Sequence, residues 1–238
     1  MSVEVAKVML WGAEVGVVAW DSEASLADFQ YAPGFIERGI EIAPLKMPLR
    51  KAPFRFSALN RDTFNGLPGL LADSLPDKFG HASFDAWLAR QGRTADSANP
   101  VERLCYVGKR GMGALEFEPA AGPPDAEDIP LDVAELVSVS NQVLNARQQQ
   151  RATLHERITP DEMRAIIQVG TSAGGARAKA VIAWNPDSGE VRAGQSDLPP
   201  GFQHWILKLD GISGNRDKQV KRSSDKYCKS RIGITGDK

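Results

Sequence analysis

The chain has 238 residues, 42% of them hydrophobic and 25% charged, a balance that fits a soluble globular protein and excludes a disordered or fibrous one. Lys and Arg total 29 against 30 Asp and Glu, a net charge of −1, so the chain as a whole is no polycation for nucleic acid. No window of about 18 residues is free of charge, the N-terminus lacks a signal-peptide pattern, and Cys105 and Cys228 are too few for a disulfide scaffold, so a reducing cytoplasm is the expected compartment.

Val3 to Trp11 is a strand candidate, Trp11-Gly12 to Glu14 a tight turn, and Val15 to Trp20 a returning strand. Ala27 to Tyr31 alternates as a third strand and is stopped by Pro33-Gly34. Residues 42–56 hold Pro44, Pro48 and Pro53 and read as an extended, irregular crossing. Thr63 to Leu71 reads as a loop or short helix. Asp77 to Gln91 places Phe79, Phe84, Trp87 and Leu88 at helical spacing before a Gly92 stop. Asp73, Asp77 and Lys78 read as loop and cap residues, with Asp73-Ser74 a candidate cap for that helix.

Pro100 to Gly108 suits a short helix with proline in its first turn, and Gly108 to Phe117 is a glycine-rich turn entering a strand. Residues 118–131, rich in Pro, Ala and acid, form the linker candidate. Leu131 to Gln149 repeats apolar residues at helical spacing, and Thr159 to Met163 reads as a helix start. Gly170 to Ala176 is a glycine-rich loop. Lys179 to Trp184 and Glu190 to Ala193 are strands joined by the turn Asn185 to Gly189, and Gln203 to Leu209 is a further strand. Residues 211–238 carry eight basic and three acidic residues, a net of +5, with too little apolar area to order themselves. The class is α+β.

The densest chemical feature is Gly170 to Lys179, GTSAGGARAK. Its glycines let the backbone turn sharply and approach a ligand closely. Consecutive N–H groups in such a loop suit a phosphate, and Lys179 adds a point charge. Lys208 sits among Trp205, Ile206, Leu207 and Leu209, where a charge is costly without a partner such as a phosphate. A plain tight turn, with Lys208 reaching solvent, explains the same residues. Gly170 to Gly174 also fits G-x-S-x-G, with Ser172, His204 and an Asp187 or Asp197 between them, but an elbow must open into a helix and the sequence after it reads as a strand. It is not a P-loop, because no Ser or Thr follows Lys179 at the required spacing. His81, His155 and His204 are scattered and lack metal-ligand spacing.

From residue 5 to about 218 the sequence resembles the N-terminal half of a HipA-type serine/threonine kinase, the toxin of a type II toxin–antitoxin pair. The resemblance is carried by LWGAEVGVVAW, FQYAPGFIERG, PLKMPL, FNGLPGLLADSLPDKFG and ERLCYVGKRGMGALEFEP, then VGTSAGGARAKAVIAW and HWILKLD. It implies a small β-rich N-terminal subdomain over 1–120, a kinase N-lobe-like sheet with helices over 121–215, and a basic, disordered tail over 216–238. It implies that Gly174, Gly175, Ala176, Arg177, Ala178 and Lys179 contact ATP, that Lys208 holds the nucleotide phosphates, and that Ser172 is autophosphorylated. A phosphate on Ser172 would add about −1.5 to −2 charge to a loop built for phosphates and eject it. The implied cofactors are ATP and Mg²⁺, and the implied partners are a protein substrate of the aminoacyl-tRNA synthetase class and a DNA-binding antitoxin of the HipB type. No membrane and no direct nucleic-acid contact are expected.

The sequence departs from the family where chemistry begins. Phosphoryl transfer needs an Asp for the acceptor hydroxyl and an Asp with an Asn for Mg²⁺, which the family carries in a helical C-terminal lobe. That lobe is expected to be missing, and Asp210 and Asp217 lack its context. The expectation is a truncated or frame-disrupted chain, inactive alone, with no catalytic residue or Mg²⁺ ligand assigned and with apolar surface uncovered at Ile182, Trp184, Trp205 or Leu207. The alternatives are a stand-alone interaction module that restrains a partner kinase, and a nucleic-acid binder resting on residues 216–231.

Overall fold

The structure, a computed structural model, describes residues 3–120, 131–133, 136–140, 142, 165–166, 179–194 and 198–208, with the backbone alone described at Lys78 and Lys208. They fall into two compact units: Met1–Pro76 with Arg93–Pro124, and Asp77–Gly92 with Asp125–Lys238. The class is α+β, with two antiparallel sheets and few helices.

The first unit is built on β1 (Val5–Leu10), β2 (Ala13–Asp21), β3 (Leu26–Tyr31) and β4 (Leu115–Glu118), in the order β3-β2-β1-β4. Leu10 pairs with Ala13, so β1 and β2 are joined by only Trp11 and Gly12. Both have left-handed φ, +49° and +76°, which matches the right-handed twist of the strands they connect. The register slips by one between Val8 and Met9, and this bulge buries two consecutive β2 residues, Val15 and Gly16. The inward face of β1 (Ala6, Val8, Leu10) meets Phe29, Tyr31 and Phe117, with Val101, Leu104 and Cys105 in the same core.

Pro33 ends β3 as expected, but it also opens a short helix, α1 (Pro33–Glu37), at its first turn. Residues 42–56 then cross the outer edge of β3. Phe29 and Phe54 exchange backbone hydrogen bonds of 3.0 and 2.7 Å, and the Tyr31 hydroxyl donates to the Met47 carbonyl at 2.8 Å. Met47 and Phe54 are buried, so this strap blunts an edge that would otherwise invite strand pairing. Arg55 pins it further through bonds of 2.5 to 2.9 Å to Asp28 and Asp21. The loop-or-helix reading of 63–71 resolves into α2 (Arg61–Phe64) and α3 (Gly69–Ala72).

A 3₁₀ turn at Ala95–Ser97, which the sequence did not announce, leads into α5 (Pro100–Val107). Asn99 caps α5, its side-chain oxygen accepting from the Glu102 N–H at 2.9 Å, with Pro100 in the first turn. Cys105 is fully buried on this helix, and burial, helped by the charge of Glu102, pushes its thiol up to about 12 from 9.0. Because the folded value is the higher one, the folded state keeps this contribution below pH 9 and loses it as pH rises from 9 towards 12. Chemical-denaturation titrations should show stability falling above pH 9, with a slope approaching about 1.4 kcal/mol per pH unit between about pH 10 and 11. A Cys105→Ala variant should lack that slope, and the same slope in both proteins would refute the assignment.

In the second unit, α4 (Lys78–Arg90) starts at Asp77, whose carboxylate accepts from Phe79 and Gly80 N–H groups at 3.0 and 2.9 Å. Asp77 is therefore the cap, and Asp73-Ser74 is not: Asp73 closes the preceding α3. The second sheet comprises β5 (Lys179–Trp184), β6 (Val191–Ala193) and β7 (Gln203–Lys208), ordered β6-β5-β7. Within the helix expected over 131–149, the described residues 133, 136–140 and 142 are helical, with Leu136 and Val139 buried. The helix start at 159–163, the loop at 170–176, most of the 118–131 linker and the tail at 211–238 lie outside the described residues.

Candidate functional site

β5 is a central strand whose residues Ala180 to Ala183 are all buried, so its run KAVIAW is apolar without alternation. β6 reaches it through a tight hairpin. The Asn185 side chain accepts from the N–H groups of Asp187 and Ser188 at 3.0 and 3.2 Å, and Gly189 takes a left-handed φ of +75°. Gly194 then passes so close to β5 that a Cβ there would lie 2.7 Å from the Ile182 backbone. On the other side β7 pairs with β5 over six residues, Lys179 to Trp184 against Lys208 to Gln203. Trp184 and Trp205 meet edge to face at 5.3 Å, and the Arg192 guanidinium lies 5.0 Å from the Phe202 ring.

This register brings the two lysines singled out in the sequence together. Lys179 is the first residue of β5, Lys208 the last of β7, and they are direct cross-strand partners. The sequence placed the lysines on separate strands; their pairing depends on β7 returning beside β5, and no local pattern encodes that. Ser172 and the residues Gly174 to Ala178 lie outside the described residues.

The other candidates separate. His204 is an exposed residue of β7, and residues 179–184 form a strand, so the helix that a serine-nucleophile elbow requires there is missing. Among the described residues no three His, Cys, Asp or Glu side chains converge as a metal site. Of the residues expected to leave apolar surface uncovered on the second sheet, Ile182 is buried, and Trp184, Trp205 and Leu207 are half-buried. Among the described residues, the large hydrophobic ones that are exposed (Val5, Trp11, Ile40, Leu45 and Met112) belong to the first unit. No described helix is long and apolar enough to cross a membrane.

No curated protein matches the chain. Residues 6–118 match a family model described as the HipA N-terminal domain. That span begins in β1 and ends with β4, so it takes in every strand of the first sheet. Residues 6–118, just under half of the 238, therefore form a region of the HipA N-terminal type.

Proposed function

We propose that the chain is the N-terminal part of a HipA-type serine/threonine protein kinase and that its second sheet is N-lobe-like, holding the phosphates of ATP. The observation that carries this reading is the cross-strand register of Lys179 and Lys208 at the end of β5 that the glycine-rich loop enters. In this reading residues Gly174 to Lys179 line the nucleotide, Lys208 supplies the second positive charge, and Ser172 is the residue whose phosphorylation expels the loop. Mg²⁺ enters with the nucleotide, bridging its phosphates. The protein substrate is of the aminoacyl-tRNA synthetase class, and a DNA-binding antitoxin restrains the kinase in a cytoplasmic setting.

The test is calorimetric titration with Mg-ATP. Binding should be measurable, and Lys179→Ala or Lys208→Ala should each weaken it by about tenfold or more, the effect of losing one charge-assisted contact of about 1.5 kcal/mol. Binding that is undetectable at millimolar ATP, or indifferent to both variants, would sink the reading. The second reading, an interaction module that acts on a partner kinase, draws on the HipA N-terminal domain match alone. It is favoured if ATP does not bind while the chain still forms a complex with a HipA-type kinase.

A further inference from the structure

Charge in the first unit is segregated. Residues 1–41 carry seven acidic residues and two basic ones, whereas residues 42–61 carry Lys46, Arg50, Lys51, Arg55 and Arg61 and no acid at all. Arg55 is neutralised by Asp21 and Asp28. Lys46, Arg50, Lys51 and Arg61 are exposed, and no carboxylate pairs with them among the described residues. The two arginines are instead fixed by neutral groups. Arg50 donates to the carbonyls of Ala52 (3.2 Å) and Pro53 (2.7 Å) and lies 3.6 Å over the Phe54 ring. Arg61 donates to the carbonyls of Ser25 and Ala24.

The strap's anchors set these cations in a row. Met47 is bound to Tyr31, Lys51 through its carbonyl to Gln30, Phe54 to Phe29, Arg55 to Asp28, and Arg61 to Ala24 and Ser25. The strap therefore runs antiparallel along β3, and its cations follow the edge of the sheet for the length of that six-residue strand, about 20 Å.

We propose that this row is a sequence-independent docking surface for the phosphodiester backbone of duplex nucleic acid. A line of exposed cations, two of them held in place by neutral groups and none paired with a carboxylate among the described residues, matches a regularly spaced polyanion. Phe54 is buried and Phe56 half-buried, so the strap has no exposed ring for stacking on single-stranded bases, which leaves the backbone as the target. An acidic strand adding to the sheet is disfavoured: the strap already occupies the β3 edge, and Pro44, Pro48 and Pro53 lack the N–H groups a ladder needs. The proposal stands apart from the nucleotide reading, which concerns the other unit.

The experiment is fluorescence anisotropy of a labelled 20-base-pair duplex with the full chain, from 50 to 200 mM salt. The expected slope of log K against log salt is about −3 to −4 for four cations. Lys46→Gln/Lys51→Gln alters two exposed side chains without touching a fold-defining hydrogen bond. It should reduce the slope by about 2 and weaken binding at least tenfold. K46E/R50E/K51E should abolish binding while its melting curve stays cooperative. The basic tail is controlled by neutralising Lys221, Arg222, Lys226 and Lys229, which should change affinity by less than about twofold. Loss of binding with the tail variant but not the strap variants would overturn the proposal. So would no binding at 50 mM salt, or equal competition by poly-glutamate or by anionic phosphatidylglycerol vesicles.

Discussion

Replacing Gly16 by Ala should cost about 3 kcal/mol, at the upper end for forcing one carbon into a packed interior. For a unit of roughly 100 residues this lowers the melting temperature by about 12 to 24 °C. The methyl group would lie 2.2 Å from the Gln30 carbonyl oxygen and 3.0 Å from the Phe29 ring. The nearest of these atoms is backbone of β3, which pairs with β2 and is held from outside by Phe54, so it cannot swing away as a side-chain tip could. Gly12→Ala is the contrasting variant. A Cβ there meets nothing within 4 Å, and only the left-handed φ of +76° is strained, worth about 1 to 2 kcal/mol. Thermal melts of the two variants should therefore separate clearly. A Gly16→Ala melt within a few degrees of the parent would mean that β2 and β3 do not approach in this way.

Arg93→Ala should be comparably damaging, about 3 kcal/mol, because it strips both charge-assisted bonds from a carboxylate that is 2% exposed. Arg93 holds both oxygens of Glu102, at 2.5 and 2.9 Å, and also reaches the hydroxyl and carbonyl of Ser97 at 3.2 Å. The carboxylate raises the Arg93 guanidinium above its already high ordinary value. Arg93 itself is about a quarter exposed, which keeps the figure at the low end for buried pairs. Arg93→Lys should recover only part of the loss, since an ammonium cannot form the two parallel bonds of the fork. Urea unfolding of both variants checks this. A loss below 0.5 kcal/mol for Arg93→Ala would show the contact to be a solvent-exposed one of ordinary surface value.

Local chemistry was legible in the sequence, and pairing across distance was not. Trp11-Gly12 announced the hairpin, Pro100 the start of α5, and the three prolines of 42–56 an irregular crossing. The bulge that buries Val15 beside Gly16 was hidden, because two adjacent inward residues break the alternation a strand is read by. Asp73-Ser74 competed with Asp77 as the cap of α4, and only the start of helical backbone at Lys78 decides between them. In the candidate site, Lys179 and Lys208 were each visible as lysines on apolar strands, but the register joining them comes from β7 lying beside β5. The same limit applies to the cation row, whose members are spread over 16 residues of sequence and are aligned only by where the strap meets β3.

The chain leaves the first unit at Pro76 and re-enters it at Arg93, and this has a consequence in time. β1 is complete at residue 10, but its second neighbour, β4, ends at residue 118. At ribosomal speeds of about 5 to 20 residues per second, the two are separated by roughly 5 to 20 s of synthesis. Throughout that interval the free edge of β1, VAKVML, is an unsatisfied template for any passing strand. The nascent chain is therefore most exposed to mispairing between the emergence of its first hairpin and that of residue 118. Slowing translation across α4 should lengthen that exposure and lower the soluble yield.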